Sequence, residues 1–198
     1  MAERWKPSVT VAAIIERRID GVSQFLIVEE ETPEGLKLNN PAGHLDPKES
    51  PEQGVIREVL EETACVFVPD RLVGIYLSRF QRPAVTEPPR LPLRGGAAPQ
   101  GGAADLEAAR RSAGGEDVTY VRFAFGGSVG EPDPSRRLDD GIVRTLWMSL
   151  DELRASRSRH RSPHVLGCIE DYLTGRRYPL AAITTDPSVY TPEIKTRH

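Results

Sequence analysis

A chain of 198 residues, 38% hydrophobic and 28% charged, has the size and composition of one soluble globular domain with a real core. Its net charge of −3 excludes any general attraction to nucleic acid polymers or to an anionic membrane, so anion binding has to come from local groups. No apolar run opens the chain as a secretory leader, and the apolar stretch at residues 11–15 is too short to span a bilayer. Cys65 and Cys168 stand far apart among apolar neighbours and read as buried thiols, and the histidines lack zinc-ligand spacing. A cytoplasmic protein is therefore expected.

In chain order, residues 8–15 (SVTVAAII) are apolar and β-branched and predict a buried strand. Asp20-Gly21 is a turn signal, with residues 24–29 (QFLIVE) as its hairpin partner. Residues 36–40 give a short extended piece ended by Pro41, and a glycine-containing loop leads into a helix over Pro51–Thr63. Residues 72–80, 118–125 and 142–148 predict three more strands. Residues 150–155 and 163–173 predict two helices, the second stopped by Gly175. Residues 82–116 are crowded with Pro, Gly, Ala and Arg, and such a composition buries too little apolar surface to offset its ordering entropy. They predict a flexible insertion between two strands, with a substrate lid or partner-binding arm as the other reading. One domain over residues 1–184 is expected, followed by a tail at 185–198. This order of elements alone supports an α/β or α+β class.

The helix over Pro51–Thr63 carries the chemistry. Ser50 is a good N-cap, Pro51 suits the first helical position, and Gln53 completes a capping box. At roughly 100° per residue, Glu58, Glu61 and Glu62 fall in one narrow sector with Gly54 a turn earlier on the same face. Ile56 and Leu60 lie opposite, as the side expected to pack on the sheet. Carboxylates this close repel one another, and a hard divalent cation relieves the repulsion while bridging to phosphate oxygens. Gly54 is expected to leave room there for a bulky substrate. A solvated charged face is the plain alternative, but such a face interleaves opposite signs, and only Arg57 is present, four residues before Glu61.

Gly43, then Glu49, then Arg57-Glu58-Val59-Leu60-Glu61-Glu62, then Ala64-Cys65, closely resembles the Nudix box in residue type and spacing, with Ala64 where that family usually has Gly. Residues 6–12 (KPSVTVA), 40–45 (NPAGHL), 161–163 (RSP) and 175–180 (GRRYPL) resemble the NudJ-type branch of Nudix phosphatases. The resemblance implies a mixed β-sheet sandwiched between α-helices. It implies Glu58, Glu61 and Glu62 as metal ligands, with Glu61 and Arg57 in the catalytic set beside Glu58. It further implies the Ala42 carbonyl as an extra ligand, Gly43 against the substrate, and Glu49 as structural support. Mg2+ is the expected cofactor, with Mn2+ able to substitute. Asp139 and Asp140 are outside candidates for a general base, with a plain turn as the other reading.

Arg122 lies between Val121 and Phe123 and either clamps a substrate phosphate or forms a structural ion pair. Trp5 either covers the core edge or stacks on a ring. The basic run at residues 154–161 (RASRSRHR) reads as a solvated loop, with phosphate attraction as the alternative. The expected partner is a small phosphorylated metabolite or nucleotide, acted on by a monomer or homodimer. Three functions stay open. One is a phosphatase acting on nucleoside tri- or diphosphates or on hydroxymethylpyrimidine diphosphate, the thiamine precursor. Another is a pyrophosphohydrolase of ADP-ribose or dinucleotide polyphosphates. The last is a non-catalytic nucleotide sensor, which the acid set argues against.

Overall fold

The computed structural model describes residues 5–82 and 116–191. Strand β1 (Ser8–Ile19) turns at Asp20 and Gly21, both at positive φ, into β2 (Val22–Thr32), as the turn signal requires. Then follow β3 (Gly35–Asn39), β4 (Ala42–His44), helix α1 (Pro51–Thr63), β5 (Phe67–Arg82), β6 (Glu116–Val129), β7 (Ile142–Ser149), α2 (Leu150–Ala155) and α3 (His164–Leu173). The predicted insertion falls almost wholly outside the described residues. So does most of the predicted tail, of which only 185–191 is described, with a 3-10 turn at Pro187–Val189.

The strands form one mixed sheet in the order β3-β2-β1-β6-β5, with β4 paired to β1 and β7 to β2. Strand β1 is its hinge. Its first half runs parallel to β6, while its last residues, Glu16 to Ile19, pair antiparallel with β2. Both faces of β1 are buried, so it reads as a continuous apolar run. Val11, Ala13 and Ile15 pack with Val55 and Val59 of α1 on one side. Ile14 packs with Leu153 of α2 and with Val165, Cys168 and Ile169 of α3 on the other. Helices thus cover both faces of a mixed sheet, the architecture the resemblance implied. Among the described residues no helix is long and apolar enough to cross a membrane.

The start of α1 follows its local sequence. Ser50 N donates to Gln53 Oε1 at 2.9 Å, and Gln53 N donates to Ser50 Oγ at 3.1 Å. At its end Ala64 takes the left-handed conformation at φ 58, which costs an alanine about 1 kcal/mol relative to glycine. Gly175, just past α3, is left-handed as expected. Both cysteines are free and buried. Two expectations need correction. Val55 and Val59, fully buried, carry most of the packing of α1; Ile56, partly buried, packs against the same cluster as expected, whereas Leu60 joins neither core cluster. Trp5 is 68% exposed and covers no core edge.

Candidate metal and phosphate cleft

Strand β4 pairs with β1 through Thr10 to His44, Val11 to Gly43 and Ala12 to Ala42, which places the residues 42–44 alongside α1. Two glutamates of α1 meet this strand. Glu62 Oε2 accepts from the backbone N–H of Ala42 at 2.8 Å. The Glu58 carboxylate rests against Gly43, where a Cβ would fall 2.1 Å from its carboxyl carbon. Gly43 therefore owes its identity to the close approach of a carboxylate. Gly54 has a different neighbour from the one expected. A Cβ there would meet Glu49 Oε1 at 2.9 Å and Leu45 Cδ1 at 3.0 Å, so its space is filled by those side chains rather than left for substrate.

Arg57 binds the acids together. It donates to both oxygens of Glu49 (2.7 and 3.0 Å), to Glu58 (2.8 Å), to Glu61 (3.0 Å) and to the His44 carbonyl (3.0 Å). A planar guanidinium fork suits this many acceptors, and charge-assisted bonds are the strong ones. Arg57 holds the Glu49 carboxyl below its ordinary value, and Glu49 in turn raises Arg57. Glu58 moves upward instead, because burial outweighs its bond to Arg57. Glu62 is pushed up to about 9, chiefly by burial and further by Glu58, Glu30 and Asp139.

The resulting cleft, of about 310 Å³, is lined by seven carboxylates: Glu30, Glu31, Asp46, Glu58, Glu62, Asp139 and Asp140. Ala42, Gly43, His44, Gly141 and Ile142 complete its wall, which holds no Lys or Arg. The Asp139–Asp140 wall hangs from α1, since Asp139 N donates to the Glu61 carbonyl and Asp133 N to the Ala64 carbonyl, each at 2.9 Å. Among the described residues no three His, Cys, Asp or Glu side chains form a ready metal cage. The donor set nevertheless fits a hard divalent cation. Glu62 has no cationic partner, Glu58 shares Arg57 with Glu49 and Glu61, and the wall carries seven carboxylates, while magnesium takes one or two carboxylates and keeps waters and phosphate oxygens as its other ligands.

Of the residues singled out from the sequence, Glu58, Glu62, Ala42, Gly43, Asp139 and Asp140 line the cleft. Arg57, Glu49 and Glu61 stand behind it as an ion-pair network. Arg122 is buried and lines no wall of the cleft; burial disfavours its charge, Cys168 and the cleft acids Glu30 and Glu62 favour it, and its Nη1 has no hydrogen-bond partner. Sequence reasoning missed Glu30, Glu31 and Asp46 as residues of the cleft. The available signal was the acidic run at residues 29–31. A register shift between Glu29 and Glu30 separates their roles. Glu29 is buried between Arg144 and Arg159, whereas Glu30 opens onto the cleft.

A family model for the NUDIX domain matches residues 6–166. The chain is 27% identical over 179 residues to Phosphatase NudJ of Escherichia coli strain K12, covering 90% of this chain and 92% of that protein. It is 42% identical to a NUDIX hydrolase from Nitrosomonas europaea of known structure, covering 91% of this chain and 98% of that one with a TM-score of 0.67. The NUDIX domain of Shewanella oneidensis NrtR, solved in complex with ADP ribose, shares the fold at 16% identity and a TM-score of 0.50. That match covers 87% of this chain and 90% of the other.

Proposed function

Since the chain belongs to the Nudix family of hydrolases acting on phosphoric anhydride bonds, we propose that it is a magnesium-dependent phosphatase. Its substrates are nucleoside tri- and diphosphates or hydroxymethylpyrimidine diphosphate, each shortened by one phosphate. The observation that carries this reading is the cleft of seven carboxylates, with Glu58 and Glu62 turned toward Gly43 and Ala42. Such a cleft repels a polyphosphate unless cations intervene.

Glu58 and Glu62 would hold the metal, together with the Ala42 carbonyl. Magnesium, or manganese in its place, supplies charge neutralisation on the anhydride and makes an incoming water more acidic. Arg57 fixes the direction of the Glu58 carboxylate through its bonds to Glu49 and Glu61, so the ligand is preorganised. Gly43 lets the Glu58 carboxylate lie against the strand, at the edge where the substrate's phosphates would sit. Asp139 and Asp140, which line the same cleft, would take the proton of the attacking water. Glu61 supports from behind the helix face.

Likeness to Phosphatase NudJ along nine-tenths of both chains supports release of orthophosphate over release of pyrophosphate. Sliding the substrate by one phosphate would switch the outcome, so the bond cleaved has to be measured. GTP incubated with the protein in oxygen-18 water should yield GDP first, with label in orthophosphate or in the terminal phosphate of GDP. Pyrophosphate and GMP as first products, with no GDP, would refute the phosphatase reading and promote a pyrophosphohydrolase.

A further inference from the structure

A second cavity, of about 430 Å³, lies between Phe80 of β5 and the start of α3, and shares no lining residue with the acidic cleft. The segment leading into α3 is fastened to the edge strand β3. Leu38 pairs with His160, and the Arg161 N–H donates to the Leu38 carbonyl at 2.9 Å. The arginines of this segment differ in what they meet. Arg154 pairs with Glu170 at 3.1 Å, and Arg159 pairs with Glu29. Arg161 reaches Glu30 only at 3.9 Å, and the Glu30 oxygen it faces is buried without a hydrogen bond. Arg157 has no carboxylate partner among the described residues.

Arg157 and Arg161 both line the cavity, together with Ser162, whose hydroxyl is buried and unpaired. A native interior rarely leaves such a group unsatisfied. Pro163 and Leu166 open the first turn of α3 onto the same space, where the helix dipole favours negative charge. The one carboxylate of the lining, Glu170, is already taken by Arg154. Phe80, Pro163 and Leu166 give the cavity an apolar side. Gly167 enlarges it, since a Cβ there would meet nothing within 4 Å, although glycine is unfavourable inside a helix.

We infer that this cavity is an effector site for a phosphate monoester with a short apolar body, and that Arg161 and Glu30 carry its occupancy to the acidic cleft. Two guanidinium forks and a hydroxyl match the three terminal oxygens of such a monoester. The apolar side then takes the body of the ligand. Arg161 lines the cavity and Glu30 lines the cleft, so their loose pair is the one ionic link between the two. A dianion bound to Arg161 competes with Glu30 for the same guanidinium and leaves that carboxylate freer toward the cleft. Linkage requires the converse, that releasing Arg161 from Glu30 tightens the ligand. The inference goes beyond the hydrolase reading, and its binding test does not depend on turnover.

Calorimetry in excess chelator, with butyl phosphate as the probe, tests the site in the full chain. Butyl phosphate should saturate one site and bind at least about tenfold more tightly than orthophosphate, which lacks the apolar body. Arg157→Gln, which removes a charged donor, should weaken binding at least about tenfold. Gly167→Leu, which fills the cavity and improves helix propensity, should do the same with the melting temperature retained. Glu30→Gln should tighten binding about two- to fivefold, the size of a partly exposed ion pair released. No binding, or equal affinity for orthophosphate, would reduce the cavity to a basic surface. Unchanged affinity in Arg157→Gln or Gly167→Leu would place the probe elsewhere, and unchanged affinity in Glu30→Gln would break the link to the cleft. GMP binding more tightly than butyl phosphate would make the cavity part of the substrate site. Each of these outcomes overturns the inference, whereas failure to turn over GTP with magnesium counts only against the proposed function.

Discussion

Gly43 and the Glu58 carboxylate approach so closely that a methyl group on Gly43 would fall 2.1 Å from either the carboxyl carbon or Oε1. The obstacle is the far end of a flexible side chain, so it is the carboxylate that would move and not the backbone. Gly43→Ala should therefore fold with a melting temperature within a few degrees of wild type. Turnover should fall by about a hundredfold or more, since a displaced ligand loses its charge where the transition state needs it. Near-normal turnover would mean that Glu58 does its work in another position.

Glu62→Gln keeps an acceptor for the Ala42 N–H but cannot take up the charge that a bound cation would draw out of a buried carboxyl. Folding in chelator should be retained, because the amide oxygen replaces the hydrogen bond. Turnover should drop at least about a hundredfold, and magnesium should raise the melting temperature of wild type more than that of the variant. Chelation should silence the wild-type enzyme, and magnesium or manganese should restore it. Full activity in excess chelator would rule out metal-assisted hydrolysis.

Legibility in the sequence followed the range of the forces involved. The bounds of α1 were readable because Ser50, Pro51 and Gln53 act on their own neighbours. Strands came out short. The polar ends of β1 and β2, such as Glu16 to Ile19, are held by pairing rather than by an apolar pattern. The buried stripe of α1 was misplaced because the acidic face is not turned to solvent. It meets Ala42 and Gly43, so Val55 and Val59, beside the acids, become the packed side chains. Glu30 and Glu31 line the cleft at the end of β2 where its register with β7 shifts, which no periodicity announces.

Glu29 provides a pH test away from the cleft chemistry. The hydrogen bond from Arg144, and then Arg159, hold it below its ordinary value despite an opposing push from burial. A carboxylate depressed on folding contributes stability above the unfolded value, near 4.5, and loses it as pH falls through the folded value. Urea unfolding should therefore show Glu29→Gln less stable than wild type at pH 7, with the gap closing as the pH drops below about 4.5. A gap that stays constant down to pH 3 would assign the effect to packing.

Strands β5 and β6 remain paired to Gln81 with Asp117 and Arg82 with Glu116. The two ends of the intervening segment are thus neighbours, and a turn of a few residues can close them. Replacing residues 85–114 by a short Gly/Ser linker should leave the melting temperature and most of the turnover in place. A collapse in stability would show that the segment packs on the domain. A large rise in KM alone would make it a substrate lid.

The loop bearing Asp139 and Asp140 is tied by Asp133 and Asp139 to the Ala64 and Glu61 carbonyls at the end of α1, the helix that carries Glu58 and Glu62. The gap between the two acidic walls is therefore inherited from a single rigid rod, and not from the meeting of independently placed parts. Widening it and unravelling the last turn of α1 are one event. Residue 64, at the strained left-handed exit, is the pivot of that event, far from any phosphate yet able to set how tightly one is gripped.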